Sequence, residues 1–308
     1  MGLFDKIKGP VFIKESGAME EQLVALIEAK KTATQETAKK IEREIQNISA
    51  GNFGENSIIF ELKNSHLPLL ILHDLCLEHN GLTGQIDFLI ITRRHIYVVE
   101  CKNLYGNIEI DNKGNFMRVV RINGRYSKEG IYSPITQNQR HLELIKQVRA
   151  EEKSNVFTKA LFEKGFSGTY IPIVVLANAK TVLNAKYAPK EVKEKVIRAD
   201  QIIRYISDFD AASKSAPMSE KDMERLAQFF LDKHKVNFTD YTEKYSDKLE
   251  KTSTGENAPA AIIAANRVLC PKCGALMIKR TAGKGPNAGK SFYGCSNFPK
   301  CRGVVNIG

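Results

Sequence analysis

The sequence of 308 residues has no tryptophan, and its cysteines number only six. It also lacks any apolar run approaching the roughly 20 residues that a helix needs to cross a bilayer. The longest such runs, Leu67 to Leu72 and Ile86 to Ile91, are interrupted by Pro68 and Asp87. A helical membrane span is therefore excluded. Met1-Gly2-Leu3-Phe4-Asp5-Lys6 has no apolar signal region behind it, and Lys6 stands where an N-myristoylation signal requires Ser or Thr. These absences lead us to expect a cytoplasmic protein with no membrane partner. No repeat of 20 to 50 residues is found, which excludes a solenoid or propeller. With 43% apolar and 26% charged residues, the chain belongs with globular proteins rather than fibrous or disordered ones.

Acid is missing where base is plentiful. From Asn266 to Gly308 there is no Asp or Glu, but there are eight basic residues: Arg267, Lys272, Lys279, Arg280, Lys284, Lys290, Lys300 and Arg302. The preceding 265 residues carry only +3 of the net charge of +11. The basic excess thus belongs to a compact C-terminal module, which implies a polyanionic partner.

Four regions follow from the pattern. Residues 1–49 read as an N-terminal helical segment, with Leu23, Ile27, Ile41, Ile45 and Ile48 at near-helical spacing over one helix or two. Ala50-Gly51-Asn52-Phe53-Gly54 is expected to break it. Residues 50–207 mix β-rich runs, turn signals and helical stretches, as an α/β domain does. Residues 208–265 form a helical extension and linker, with a helix over 218–235 and linker composition after Lys248. Residues 266–308 hold the cysteine module.

That module contains Cys270-Pro271-Lys272-Cys273-Gly274, then Cys295 and Cys301. Two close pairs of this kind suit Zn²⁺, which takes four thiolates at about 2.3 Å in a tetrahedron. A closed four-sulfur site has no open position, so this zinc is expected to be structural, supplying much of the module's folding energy. Lys290, Phe292 and Tyr293 combine charge with stacking faces and are candidates for binding single-stranded nucleic acid, although either ring could equally form the module's small core. Gly285-Pro286-Asn287-Ala288-Gly289-Lys290-Ser291 is one residue short of a phosphate-binding loop and follows no strand, so nucleotide binding is not expected there. The cysteine pairs, with Gly283-Lys284-Gly285, Phe292-Tyr293-Gly294-Cys295-Ser296 and Pro299-Lys300-Cys301, resemble the four-cysteine zinc ribbon at the C-termini of bacterial type IA topoisomerases. The resemblance implies contact with DNA, as single strands or distorted duplex.

Chemistry is to be sought in the central region. Ile86 to Ile91 and Ile96 to Lys102 read as two strands of a hairpin, with Arg93 and Arg94 as the loop. If Thr92 pairs with His95, Asp87 lies opposite Glu100, where the two side chains would start about 5 Å apart. Lys102, two residues on, shares the face of Glu100. Alone, each acid could be a salt-bridged strand end. Together, in otherwise apolar strands, they call for a positive group, and hard Mg²⁺ prefers oxygen ligands. Glu55 lies on the same helical stripe as Ile58, Ile59 and Leu62 and should face the sheet, or else complement the helix dipole if it opens that helix. Gln137 and His141 share a face of the helix after Pro134 and could reach substrate phosphates. Cys76 and Cys101 are read as core rather than nucleophiles.

A helical Glu55, Asp87 on one hairpin strand and Glu100-x-Lys102 on its partner resemble the metal site of the PD-(D/E)XK nuclease superfamily. Gly51-Asn52-Phe53-Gly54-Glu55, Gly84-Gln85-Ile86-Asp87, Val98-Val99-Glu100-Cys101-Lys102-Asn103, Gly106-Asn107-Ile108 and the run from Ser133 to His141 narrow this to the nuclease-related domain, NERD. The resemblance extends from about Gly51 to about Ile206. It implies a restriction-endonuclease-like α/β core, a central mixed sheet flanked by helices, and phosphodiester cleavage dependent on Mg²⁺ or Mn²⁺. Asp87 and Glu100 would hold the metal, Glu55 would ligate it directly or through water, Lys102 would orient or help deprotonate the attacking water, and Gln85 would position water or substrate. The competing expectation is a nucleic-acid-binding or scaffolding protein that keeps the fold without turnover.

Overall fold

The structure is a computed structural model that describes residues 7–16, 18–235, 242, 244–245, 277–281, 291–295 and 302–306. It divides into two compact units, residues 1–249 and 250–308. The first begins with β1 (Val11–Lys14), α1 (Ala18–Lys31), α2 (Gln35–Lys63), β2 (Leu70–His79), β3 (Leu82–Ile91) and β4 (Ile96–Lys102). It continues with β5 (Asn107–Ile110), β6 (Phe116–Ile122), β7 (Arg125–Ile131), α3 (Pro134–Ala150), α4 (Val156–Thr169) and β8 (Tyr170–Leu176). β9 (Leu183–Asn184), α5 (Lys190–Lys193), β10 (Val196–Arg198), α6 (Ile202–Ala212) and α7 (Glu220–Lys233) complete it. Among the described residues no helix is long and apolar enough to cross a membrane.

A six-stranded mixed sheet in the order β1-β2-β3-β4-β8-β10 forms the centre. Its inner strands are apolar on both sides because both faces are covered. On one face, Ile58 and Leu62 of α2 and Ile202 and Ile206 of α6 pack on Phe88, Ile90, Tyr97 and Val99. On the other, Leu144 and Ile145 of α3 and Met223 and Phe230 of α7 pack on Leu89, Ile91 and Val98. A second sheet, β7-β6-β5-β9, packs Ile108, Ile110 and Phe116 against Val174 and Leu176 at the end of β8. The expected fold class, a mixed sheet flanked by helices, is the one observed.

Two expectations about the N-terminal region are corrected. It is not wholly helical, because Val11–Lys14 forms a strand parallel to β2 at the edge of the sheet. Nor does the chain break at Gly51–Gly54. The break lies at Thr32 to Thr34, where Thr34 caps the next helix by accepting the Thr37 N–H, and α2 then runs unbroken to Lys63. Gly54 serves close packing instead. A Cβ there would lie 2.7 Å from Cβ of Asn103, 3.2 Å from Sγ of Cys101 and 3.3 Å from Cβ of Ala177. Glu55 is consequently in mid-helix, and a helix-terminus explanation for its charge does not apply.

The sheet is interrupted along one line. β1 slips register between Phe12 and Lys14, and the β2–β3 ladder pairs His73 with Phe88 and Leu75 with Ile86 while skipping Asp74 and Asp87. Asp74 is left-handed, with φ 58°, a conformation that Asp tolerates better than most residues. Both strands exchange faces here, since Leu72 and Leu75, like Ile86 and Leu89, all join the same core cluster. Polar residues that strict alternation would send to the core thereby collect at the interruption.

In the second unit β11 (Met277–Thr281), β12 (Ser291–Cys295) and β13 (Val304–Asn306) form an antiparallel sheet. Cys270, Cys273 and Cys301, Lys290 and the expected linker after Lys248 lie outside the described residues. Cys295 ends β12.

Candidate functional site

From Phe88 to Ile91 the hairpin forms in the register expected from sequence, but the expected pairing of Asp87 with Glu100 does not form. Thr92 N–H donates to His95 O at 2.9 Å, and Phe88 to Ile91 pair with Val99 to Ile96. Past Phe88 the ladder opens. Oδ2 of Asp87 accepts the Cys101 N–H at 2.6 Å, while β4 pairs along its whole length with β8 on its other side. A side chain has replaced a backbone partner, and carboxylates occupy the fork between strands.

Glu100 is only 1% exposed. Its Oε1 lies 2.7 Å from Nζ of Lys102, which also donates to Oε1 of Gln137 at 3.0 Å. Oε2 of Glu100 is buried without a hydrogen-bond partner, and so is Nδ1 of His141, 3.4 Å away. Burial, helped by Lys102, pushes His141 down to about 4, so its ring is neutral at pH 7. Burial first, then the charges of Glu100 and Glu55, hold Asp87 well above the usual carboxylate range despite the Cys101 N–H and Lys102. Glu100 is raised by burial, opposed by Lys102 and raised again by Glu55.

Glu55 reaches this group from α2. The close approach at Gly54 and a 2.6 Å bond from Nδ2 of Asn103 to the Ala50 carbonyl seat that helix against the ends of β4 and β8. Oε2 of Glu55 lies 2.9 Å from Nε2 of His73. Gln85 is exposed and donates to Oδ1 of Asp74. The structure therefore brings Glu55, Asp87, Glu100, Lys102, Gln137 and His141 into one neighbourhood. Gln137 and His141 face Lys102 and Glu100 directly, and Gln85 is held at the rim by Asp74.

One residue escaped the sequence reading, and another was quoted there without a role. His73 is buried beneath Glu55 and stacked on Phe88, with ring centroids 4.7 Å apart. Its signal was available, because His73-Asp74 splits the apolar run from Leu67 to Leu77. Asn138, fully buried, donates to the carbonyls of Val98 and Ile173 at 2.9 and 3.0 Å and so ties α3 across β4 and β8. Asn138 lies in the Ser133 to His141 run that carries the resemblance, but spacing alone assigned it no role.

The donor set has the chemistry of a divalent-cation site. Hard carboxylate oxygens, one of them unpartnered, stand where burial and mutual repulsion disfavour their ionised forms. Among the described residues no three His, Cys, Asp or Glu groups converge closely enough to hold an ion. Asp87 and Glu100 offer two carboxylates whose chemistry suits a cation, and Glu55 stands near enough to raise both without converging on them. Cys76 is buried, and burial with three nearby acids pushes the Cys101 thiol well above its ordinary value, which makes it a poor nucleophile.

Residues 50–177 match the family model described as NERD, Nuclease-related domain. Those residues are similar to a nuclease-related domain. Residues 267–308 match a second model, Topoisomerase DNA binding C4 zinc finger. Neither curated proteins nor solved structures provide a match. The segment that matches the nuclease-related domain contains Glu55, Asp87, Glu100, Lys102, Gln137 and His141 and closes just after β8. β1, α6 and α7 lie outside it, although they cover or extend its sheet. In the zinc-finger segment Phe292 and Tyr293 are consecutive on β12 and therefore project to opposite faces. Both are half-buried, and the register sets Arg280 beside Phe292 and Lys279 beside Tyr293. Any one surface of that sheet presents only one of these two rings.

Proposed function

We propose that the protein is a nuclease that hydrolyses phosphodiester bonds in DNA with the help of Mg²⁺ or Mn²⁺. The observation that carries this is the buried, unpartnered Oε2 of Glu100 beside Asp87, two acids whose ionised forms need a positive charge that Lys102 alone does not supply. When bound, a divalent cation would stabilise charge developing on the phosphate. Asp87 and Glu100 would hold it, with Glu55 as a direct or water-mediated third ligand. Lys102, fixed between Glu100 and Gln137, would orient the attacking water and assist its deprotonation. His141, neutral and buried, would shape the pocket without acting as general base. Gln85 would meet substrate at the rim. The basic C-terminal segment, with Zn²⁺ held by Cys270, Cys273, Cys295 and Cys301, would bind DNA strands and raise their concentration at the core.

Purified protein incubated with single-stranded, duplex and branched DNA in Mg²⁺ or Mn²⁺ should cut at least one form. EDTA, Asp87→Ala or Glu100→Ala should each abolish cutting. No cleavage of any DNA, or cleavage of matched RNA alone, would sink the proposal. A second reading, a nucleic-acid-binding scaffold without turnover, is favoured by the lack of a converged three-ligand group among the described residues. It expects salt-dependent DNA binding that is indifferent to Asp87→Ala, with no cleavage under any of these conditions.

A further inference from the structure

We infer that His73 is a positioning residue for Glu55, and that the N-terminal strand, outside the family-matched segment, holds it in that role. The inference rests on the cation site proposed above. His73 has both ring nitrogens engaged. The Ser16 N–H donates to Nδ1 at 3.3 Å, so Nδ1 carries the lone pair and the ring proton belongs on Nε2. That proton points to Oε2 of Glu55 at 2.9 Å. One carboxylate oxygen is thereby fixed, and Oε1 of Glu55 has no hydrogen-bond partner among the described residues. An acid held by one oxygen and open at the other is what a ligand carboxylate requires of its surroundings.

The ring is itself braced. It stacks on Phe88, which immediately follows Asp87. Nζ of Lys14 donates to the carbonyls of His73 and Asp74 at 3.0 and 2.7 Å. Those carbonyls need a partner because the β2–β3 ladder skips Asp74, whose φ of 58° turns its peptide out of the sheet pattern. Lys14 and Ser16 belong to β1 and its exit, and both precede residue 50, where the family match begins. The interruption in the sheet and the support of Glu55 are therefore one device. The slip in β1 delivers Lys14, the turn at Asp74 frees carbonyls for it, and Ser16 sets the tautomer of the histidine between them.

The test is Mn²⁺ affinity of the full-length protein, measured by calorimetry without DNA. His73→Phe keeps a ring to stack on Phe88 but removes both nitrogens, and should weaken Mn²⁺ binding about 10- to 100-fold. His73→Gln, whose amide can still donate to Glu55, should retain most of the affinity. In a Glu55→Gln background His73→Phe should produce no further loss, because the effect passes through that one carboxylate. Unchanged affinity in His73→Phe overturns the inference and leaves the cation site standing. Losses that simply add in the double variant also overturn it, since they assign the ring to packing. If His73→Phe does not fold, Lys14→Met applies the same double-variant test with the ring intact. Wild-type protein that binds no Mn²⁺ overturns the inference and the cation site together.

Discussion

At the scale of single residues, the site is marked by acids that folding makes weaker rather than stronger. Asp87 and Glu100 bind their protons more tightly in the folded chain than in the unfolded one. Well below about pH 4 both states are protonated and the pair contributes nothing to stability. As pH rises through the ordinary carboxylate range the unfolded chain ionises first, so stability falls, and it goes on falling until the folded groups ionise at their raised values. Melting curves in EDTA should therefore show a loss with rising pH that Mg²⁺ or Mn²⁺ reverses. Asp87→Asn should flatten that dependence. It should raise the melting temperature in EDTA at pH 7 by about 2–4 °C for each kcal/mol of relieved repulsion, while abolishing cleavage. An Asp87→Asn protein less stable than wild type across this range would show that the aspartate is a structural anchor.

At the scale of elements, α2 is the decisive piece. Its glycines invited a break, since each costs a helix interior about 1 kcal/mol relative to Ala. Yet Gly51 and Gly54 differ in surroundings. A Cβ on Gly51 would meet only Cε of Met19, at 3.9 Å, whereas one on Gly54 would press into Cβ of Asn103 at 2.7 Å. Gly51→Ala should accordingly stabilise the protein by about 0.5–1 kcal/mol through helix propensity. Gly54→Ala should destabilise it by roughly 1–3 kcal/mol through overpacking, and should lower cleavage by moving Glu55 away from the sheet. Thermal melts of the two variants with the same sign would contradict this packing role. Register in β3–β4 was legible because a two-residue loop and strand periodicity leave little choice. The face exchange at Asp74 and Asp87 was not, since a local bulge breaks the period of two on which such readings depend.

At the scale of the whole molecule, charge is divided between modules. The eight basic residues after Asn266 carry most of the net charge, whereas the proposed reaction belongs to the earlier, nearly neutral part. Deleting residues 266–308 should reduce DNA affinity and shallow its salt dependence, by roughly 0.9 in log–log slope for each phosphate that the module neutralises. Binding assays over a salt series measure this directly. At saturating DNA the truncated chain should keep most of its turnover. Loss of turnover equal to that of Asp87→Ala would instead make the module part of the chemistry.

Much of this protein was settled by composition and spacing alone. The clustered cysteines, the acid-free terminus, the hairpin and the Glu100 and Lys102 pair are local in sequence, and local periodicity with turn chemistry suffices to propose them, whereas the bulge decided where Asp87 lies. Glu55 facing the sheet followed from its helical stripe. Only the tertiary structure decided that the helix runs through Gly51 and Gly54, that Val11–Lys14 is a strand, and that His73 stands behind Glu55. Each depends on residues far apart in the chain meeting: Gly54 with Asn103, Lys14 with the His73 and Asp74 carbonyls, Ser16 with the His73 ring. The free energy of such meetings comes from packing and desolvation, which are properties of the folded surroundings and leave no periodic trace in the sequence.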